Sequence, residues 1–264
     1  MMKNLLIGLI LVSALAGTGS SSKTGEIWPA FRGNGDSHTE ARGLPLHWSD
    51  QSNVAWKIDL PGYGQSSPVV WRDKVFLTAI TGAEKEKLHV VCFDLKSGRT
   101  LWQNESIATD VMKDSPTVSK AAPTAVVDAD RVYALFESGD ALAFNHQGKP
   151  IWQRKLSEYY GHYKGNHGLG SSLAITDNAV LALVAHDGPS FLVALDKRTG
   201  KNLWKTDRDS GVGWGSPILT TDGKNAQVLV SVSSVVSAYH SQTGKLIWSL
   251  KGIKANNIPS PTVG

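Results

Sequence analysis

Ala194-Leu-Asp-Lys-Arg-Thr-Gly-Lys-Asn-Leu-Trp204 decides how this chain folds. An apolar alternating run over 191–195 leads into Asp196, whose side chain can accept hydrogen bonds from the backbone of a turn. Gly200 supplies the positive φ that such a turn needs. A second strand then carries Leu203 and Trp204. The pattern returns as Cys92-Phe-Asp-Leu-Lys-Ser-Gly-Arg-Thr-Leu-Trp102, as Ala143-Phe-Asn-His-Gln-Gly-Lys-Pro-Ile-Trp152 and as Ala238-Tyr-His-Ser-Gln-Thr-Gly-Lys-Leu-Ile-Trp248. In each copy a glycine, Gly98, Gly148, Gly200 or Gly244, stands four residues before the tryptophan. The second copy is one residue shorter in its turn. His240 replaces the Asp or Asn of the other copies and should cap its turn less well.

Working outward, each copy has two further strands upstream. Ser67-Pro68, Ala122-Pro123-Thr124, Ser216-Pro217 and Ser260-Pro261 mark the start of a first strand, where a sheet tolerates proline. Asp73-Lys-Val-Phe76, Asp130-Arg-Val-Tyr133 and Asn178-Ala-Val-Leu181 mark the turn into a second. Successive tryptophans lie 50, 52 and 44 residues apart. Four short antiparallel strands at that period predict the blades of an all-β propeller. A β-helix needs a far shorter period, and helical solenoids need a 3.6-residue repeat that is absent. The predicted blades cover 64–104, 118–155, 168–206 and 214–250, with the start of a fifth at 256–264. Trp56, in Asn53-Val-Ala-Trp-Lys57, matches Trp204 and predicts an orphan outer strand over 53–60. The orphan lacks three partners of its own, so a closed ring of four is excluded and the chain reads as truncated from a larger ring.

The aromatic side chains then have a structural use. One indole buries about 150–250 Å², so Trp56, Trp102, Trp152, Trp204 and Trp248 are predicted to wedge neighbouring blades together, with the four glycines as their seats. Cys92 aligns with Ala143, Ala194 and Ala238 and is predicted to be a buried, unreactive small residue.

The chain has 264 residues, 41% of them hydrophobic, with scattered glycine and no heptad repeat, which excludes disorder and coiled coil. One cysteine excludes an internal disulfide and a multi-thiolate zinc site. A net charge of +4 without any basic run gives no case for nucleic acid. Residues 1–16 read as a signal peptide: Lys3 at a positive start, an apolar run over 5–15 and the small-x-small Ala14-Leu-Ala16. That run is too short for a membrane span, and no Cys follows it to take a lipid anchor. Residues 17–52 read as a leader and an N-terminal segment packing on the propeller, with Arg32, Asp36 and His38 in it and Arg32 as a structural ion-pair partner. The mature protein is expected to be exported, to the periplasm or beyond.

One stretch has the composition of a contact surface: Tyr159, Tyr160, His162, Tyr163 and His167, set between glycines. Such a loop could meet a glycan or a protein partner. Its two imidazoles lack a third metal ligand, so no metal is expected. His186-Asp187 reads as a tight turn with a polar tip rather than a general-base pair. Gly168-Leu-Gly170 and Gly211-Val-Gly213 do not open helices and form no phosphate cradle.

These repeats resemble the PQQ-like repeat of quinoprotein-type propellers, whose A-x-D-x-x-T-G-x-x-x-W core stands at 194–204. The opening Trp28-Pro-Ala-Phe-Arg-Gly33, with Gly43-Leu-Pro-Leu-His-Trp48, Val54-Ala-Trp56 and Ser66-Ser-Pro68, is similar to exported propellers of planctomycete-type bacteria. The resemblance covers residues 28–264 and implies an eight-bladed ring. Its settings imply different functions. Quinoprotein dehydrogenases hold pyrroloquinoline quinone with Ca²⁺ beside an adjacent Cys-Cys disulfide, for which one cysteine does not suffice. The assembly lipoprotein of the outer-membrane β-barrel insertion machinery is a scaffold that carries a lipidated Cys, lacking here. The expectation is therefore a binding or scaffold module with no assignable catalytic residue and no cofactor. A PQQ- and Ca-dependent dehydrogenase and a glycan-binding propeller stand as alternatives.

Overall fold

The structure is a computed structural model that describes residues 27–33, 38, 39, 41–111, 120–165, 167–252 and 258–262. The signal-peptide reading, Asp36 and the linker 112–119 lie outside the described residues, as do parts of the fifth-blade start.

Four antiparallel sheets follow one another along the chain. The first contains β1 (Ile27–Trp28), β2 (Val69–Trp71), β3 (Lys74–Thr81), β4 (Lys87–Asp94) and β5 (Thr100–Ile107), and the second β6 (Val126–Val127), β7 (Arg131–Leu135), β8 (Asp140–Asn145) and β9 (Pro150–Lys155). The third holds β10 (Ala174–Ile175), β11 (Ala179–Val184), β12 (Ser190–Asp196) and β13 (Asn202–Arg208), and the fourth β14 (Ile218–Thr221), β15 (Ala226–Val232), β16 (Val235–His240) and β17 (Leu246–Lys251). Each sheet is an up-and-down meander in sequence order, the arrangement of a propeller blade. The fold is the all-β propeller that the repeats predict.

The repeat motif has a precise register. Cys92 pairs across the ladder with Trp102, Ala143 with Trp152, Ala194 with Trp204 and Ala238 with Trp248. The register slips by one residue immediately after each of these small residues. A bulge at this point re-aims the indole, and the residue opposite must be small because the ring lies over it. That is why Cys92 stands in an alanine position. It is fully buried, and desolvation pushes its thiol up to about 12.

Apolar cores lie between successive blades. Val69, Phe76, Val90 and Cys92 of the first meet Val127, Val132, Phe136 and Phe144 of the second. Tyr133, Val126 and Ala143 meet Val180, Val193 and Leu195 of the third, and the third meets Val228, Val230 and Tyr239 of the fourth. The outer face of the first blade is covered by Trp56, Ile58 and Leu60.

Within the sheets and the segments beside them the structure corrects four readings and bears out one strand that no sequence marker flagged. Residues 53–60 form no strand; they run unpaired beside the first blade, because no neighbouring strand among the described residues offers them a ladder. Ile27–Trp28, read as part of a packing segment, pairs with Trp71 and Val70 and makes the first sheet five-stranded. The first strand of the second blade begins two residues later than Pro123 suggests: Val126 pairs with Tyr133 as Val69 pairs with Phe76. The third blade has a first strand, Ala174–Ile175, that no Ser-Pro marks. Within the tyrosine-rich stretch read as loop, Leu156–Tyr160 is a short helix, α1, with Leu156 buried.

Candidate functional site

The tryptophans make one set of links between blades. The Trp56 indole N–H donates to the Leu95 carbonyl at 2.9 Å, Trp102 to His146 at 2.9 Å, Trp152 to Lys197 at 2.9 Å and Trp204 to Ser241 at 3.1 Å. Each acceptor is in the turn between the last two strands of a blade, the turn that holds the repeat glycine. Those turns are tied by their own side chains. Asp196 Oδ1 accepts from the backbone N–H of Thr199 at 2.8 Å, and Asn145 Oδ1 from that of Lys149 at 2.8 Å. His240 Nδ1 manages only 3.3 Å from Gln242. Trp248 departs from the predicted wedge: it is 42% exposed, since no following turn is among the described residues to receive it.

A second set of links runs down the axis. The hydroxyl oxygen of Thr124 accepts the Ser67 N–H at 3.0 Å, Ser172 accepts Thr124 at 3.0 Å, Ser216 accepts Ser172 at 2.9 Å and Ser260 accepts Ser216 at 2.8 Å. All five residues line one cavity of about 410 Å³. The first strands therefore converge on an axis, and each blade hands a main-chain N–H to a hydroxyl of the next.

The N-terminal segment lies across these inner strands. The Pro29 carbonyl accepts the Val127 N–H at 2.9 Å, and Arg32 and Gly33 turn with φ of 61° and 67°. Phe31 lines the axial cavity and also a smaller one, about 220 Å³, against Leu173–Ile175 and Ser216–Leu219. The axial cavity is also lined by Trp214, whose N–H is spent on the Gly168 carbonyl at 3.1 Å, and by His167, whose ring centroid is 5.6 Å from that indole.

The structure brings Tyr159 and Tyr160 together, with ring centroids 6.3 Å apart, and sets Tyr163 and His167 in the wall of one small cavity, but it does not gather all five residues on one surface. Tyr159 is exposed under the Arg154 guanidinium, 4.2 Å from its ring centroid. Tyr160 packs edge-on against Phe191 at 4.8 Å and bonds Asn202 through its hydroxyl. His162 is exposed beside Asp110, 3.2 Å away. Tyr163 points inward, stacked edge-to-face on His186 at 4.7 Å, with its hydroxyl held high by desolvation. Only His167 reaches the axial cavity.

His186, expected at the polar tip of a tight turn, is buried inside that turn. Its Nδ1 accepts the N–H groups of Lys164 at 3.1 Å and Gly188 at 2.9 Å. Two N–H donors aimed at Nδ1 put the ring proton on Nε2, which leaves no lone pair for a metal. Burial lowers the His186 pKa, against the pull of Asp187. Asp140 is fully buried and accepts from Thr109 N–H at 2.7 Å, the Thr109 hydroxyl at 2.6 Å and Ser138 at 2.7 Å. It fastens Thr109, just past the end of β5, to the second blade. Glu137, also buried, accepts the Ala121 N–H at 3.0 Å, and desolvation raises its carboxyl to about 7. Sequence reasoning missed both carboxylates. Their signal was two acids flanking a Ser-Gly turn at 137–140.

Among the described residues lining the axial cavity there is no carboxylate. Ca²⁺ takes six to eight oxygens with carboxylates among them, so this lining does not fit a calcium-held quinone. No group of three or more His, Cys, Asp or Glu gathers anywhere among the described residues, and no helix there is long and apolar enough to cross a membrane.

Residues 39–162 and 161–263 match the family described as outer membrane protein assembly factor BamB. The chain belongs to this family of PQQ-like repeat propellers. Among the family's curated relatives, it is 26% identical over 211 residues to outer membrane protein assembly factor BamB of Burkholderia pseudomallei strain K96243, covering 78% of this chain and 50% of that protein. It is also 26% identical over 228 residues to quinohemoprotein alcohol dehydrogenase ADH IIB of Pseudomonas putida, covering 81% of this chain and 25% of the enzyme. The chain thus spans a quarter to a half of the length of these relatives. In structure it is similar to quinohemoprotein alcohol dehydrogenase ADHIIG of Pseudomonas putida HK5, with a TM-score of 0.54 at 14% identity over 74% of this chain and 35% of that one. That likeness is one of fold.

Proposed function

We propose that this protein is an exported scaffold of the assembly-factor type, presenting the loop faces of a stiff propeller to a protein partner. The observation that carries this reading is the double fastening of successive blades. An indole closes the outer end of each junction and a hydroxyl the axial end. Both links are repeated from blade to blade, so loops on different blades keep fixed relative positions, which is what a platform for a partner requires. The buried carboxylates serve the same end. Asp140 accepts from Thr109, Ser138 and Gln153, and Glu137 holds Ala121. Family membership supports the assembly-type role, since relatives carry that role in their names. Export rests on the N-terminal signal pattern, and the quinoprotein dehydrogenase alternative rests on fold likeness.

Deleting the gene and quantifying outer-membrane β-barrel proteins, with their transcripts as control, tests this reading. A loss of folded barrels at unchanged transcript supports it. Unchanged barrel levels together with dye-linked alcohol oxidation by purified protein supplied with quinone and Ca²⁺ overturn it.

A further inference from the structure

We propose that the axial cavity is a binding site for a neutral carbohydrate of one or two rings. The inference rests on the cavity's own chemistry and does not depend on the scaffold reading.

The walls offer hydrogen-bond donors in an orderly array. The hydroxyl oxygens of Thr124, Ser172, Ser216 and Ser260 each accept a main-chain N–H from the preceding blade. A hydroxyl whose oxygen is engaged in this way still has its proton to give. Among the described residues none of these four protons has an acceptor, although Thr124, Ser172 and Ser216 are more than nine-tenths buried. Gln65 repeats the logic: its Oε1 accepts the Lys120 N–H at 2.9 Å, which turns its amide N–H₂ into a further donor. The cavity therefore asks for a guest rich in oxygen acceptors.

Two further features narrow the guest. Phe31 and Trp214 bring aromatic side chains to the lining, and the Trp214 N–H is already spent on Gly168. Aromatic faces beside hydroxyl donors match a sugar ring, whose C–H face stacks while its oxygens accept. No Lys, Arg, Asp or Glu is among the described lining residues, so a charged guest would leave water without a counter-charge. A volume of about 410 Å³ is in the range of small-molecule sites. The N-terminal segment builds part of this site through Phe31, which gives its path across the axis a purpose beyond packing.

Isothermal titration and Trp214 emission of the full chain, with methyl β-glucoside, cellobiose and gluconate as probes, test the proposal. Binding of either neutral sugar is expected, weakened at least tenfold in Ser172→Ala and in Phe31→Leu and changed less than twofold in Tyr159→Ala. Circular dichroism of each variant separates lost binding from lost folding, and Phe31→Leu keeps the test open should Ser172→Ala unfold. The absence of heat and of emission change with both neutral sugars overturns the proposal. So does gluconate binding tighter than the glucoside, or undiminished affinity in folded Ser172→Ala and Phe31→Leu.

Discussion

Replacing Gly200 by alanine probes the junction between the second and third blades at its tightest point. Gly200 adopts a φ of +68°, and a Cβ placed there would sit 2.7 Å from Cδ2 of the Trp152 indole. Holding an L-residue in this left-handed region costs about 1 kcal/mol. The contact adds an overpacking cost of about 1–3 kcal/mol, because the indole cannot retreat without stretching its 2.9 Å bond to the Lys197 carbonyl. The total, about 2–4 kcal/mol, lowers the melting temperature of a chain this size by about 4–16 °C. Gly223 supplies the control: its φ is +85°, yet nothing lies within 4 Å of its Cβ position. Gly223→Ala should therefore cost only the backbone term, about 1 kcal/mol. Urea unfolding followed by tryptophan emission reads both variants. A double-mutant cycle with Trp152→Leu completes the test, since Gly200→Ala in that background should fall back to the Gly223→Ala value. Equal losses for Gly200→Ala and Gly223→Ala, or additivity in the cycle, refute the claim that the glycine exists to seat the indole.

Trp152→Phe removes an N–H donor and orphans the Lys197 carbonyl, so it should cost about 1–2 kcal/mol in urea unfolding, whereas Trp248→Phe should cost below about 0.5 kcal/mol. Burial depresses the His186 pKa below its ordinary value near 6.5, so the unfolded chain binds the extra proton first. The stability that neutral His186 contributes is complete above about pH 6.5 and is lost as pH falls; His186→Gln should flatten that acid limb by up to about 1.4 kcal/mol per pH unit in melts at stepped pH. Glu137 has the opposite sign: with its carboxyl raised to about 7, its contribution is complete below about pH 4.5 and is lost as pH rises through about 7. Glu137→Gln should then gain stability at pH 8 relative to the parent and keep the bond to Ala121, which circular dichroism melts at pH 5 and pH 8 measure.

The outer links were legible and the axial ones were half hidden, for a physical reason. A Trp, a Gly and an Asp or Asn within eleven residues carry their own geometry: strand, turn and strand follow from neighbours in the chain, and all but the copy with His240 advertise the full set. The axial hydroxyls need only be a Ser or Thr at the right height. Pro68, Pro217 and Pro261 betray three of them, while in the second blade Thr124 follows Pro123 instead of preceding it and the strand begins only at Val126. In the third, Leu173 follows Ser172 and nothing marks the strand. The aromatic stretch at 159–167 shows the opposite limit. Its composition was plain, but whether a ring faces water or core depends on helix α1 and on His186, nineteen residues beyond His167. Two N–H groups fix that imidazole, one from Lys164 in the aromatic stretch and one from Gly188 in its own turn. Nothing local in Ala185-His-Asp-Gly188 distinguishes an inward histidine from a solvated tip. The donor array at the axis is of the same kind: it exists only where Thr124, Ser172, Ser216 and Ser260 come from successive repeats to a shared wall, so it belongs to the assembled arc and to no single repeat.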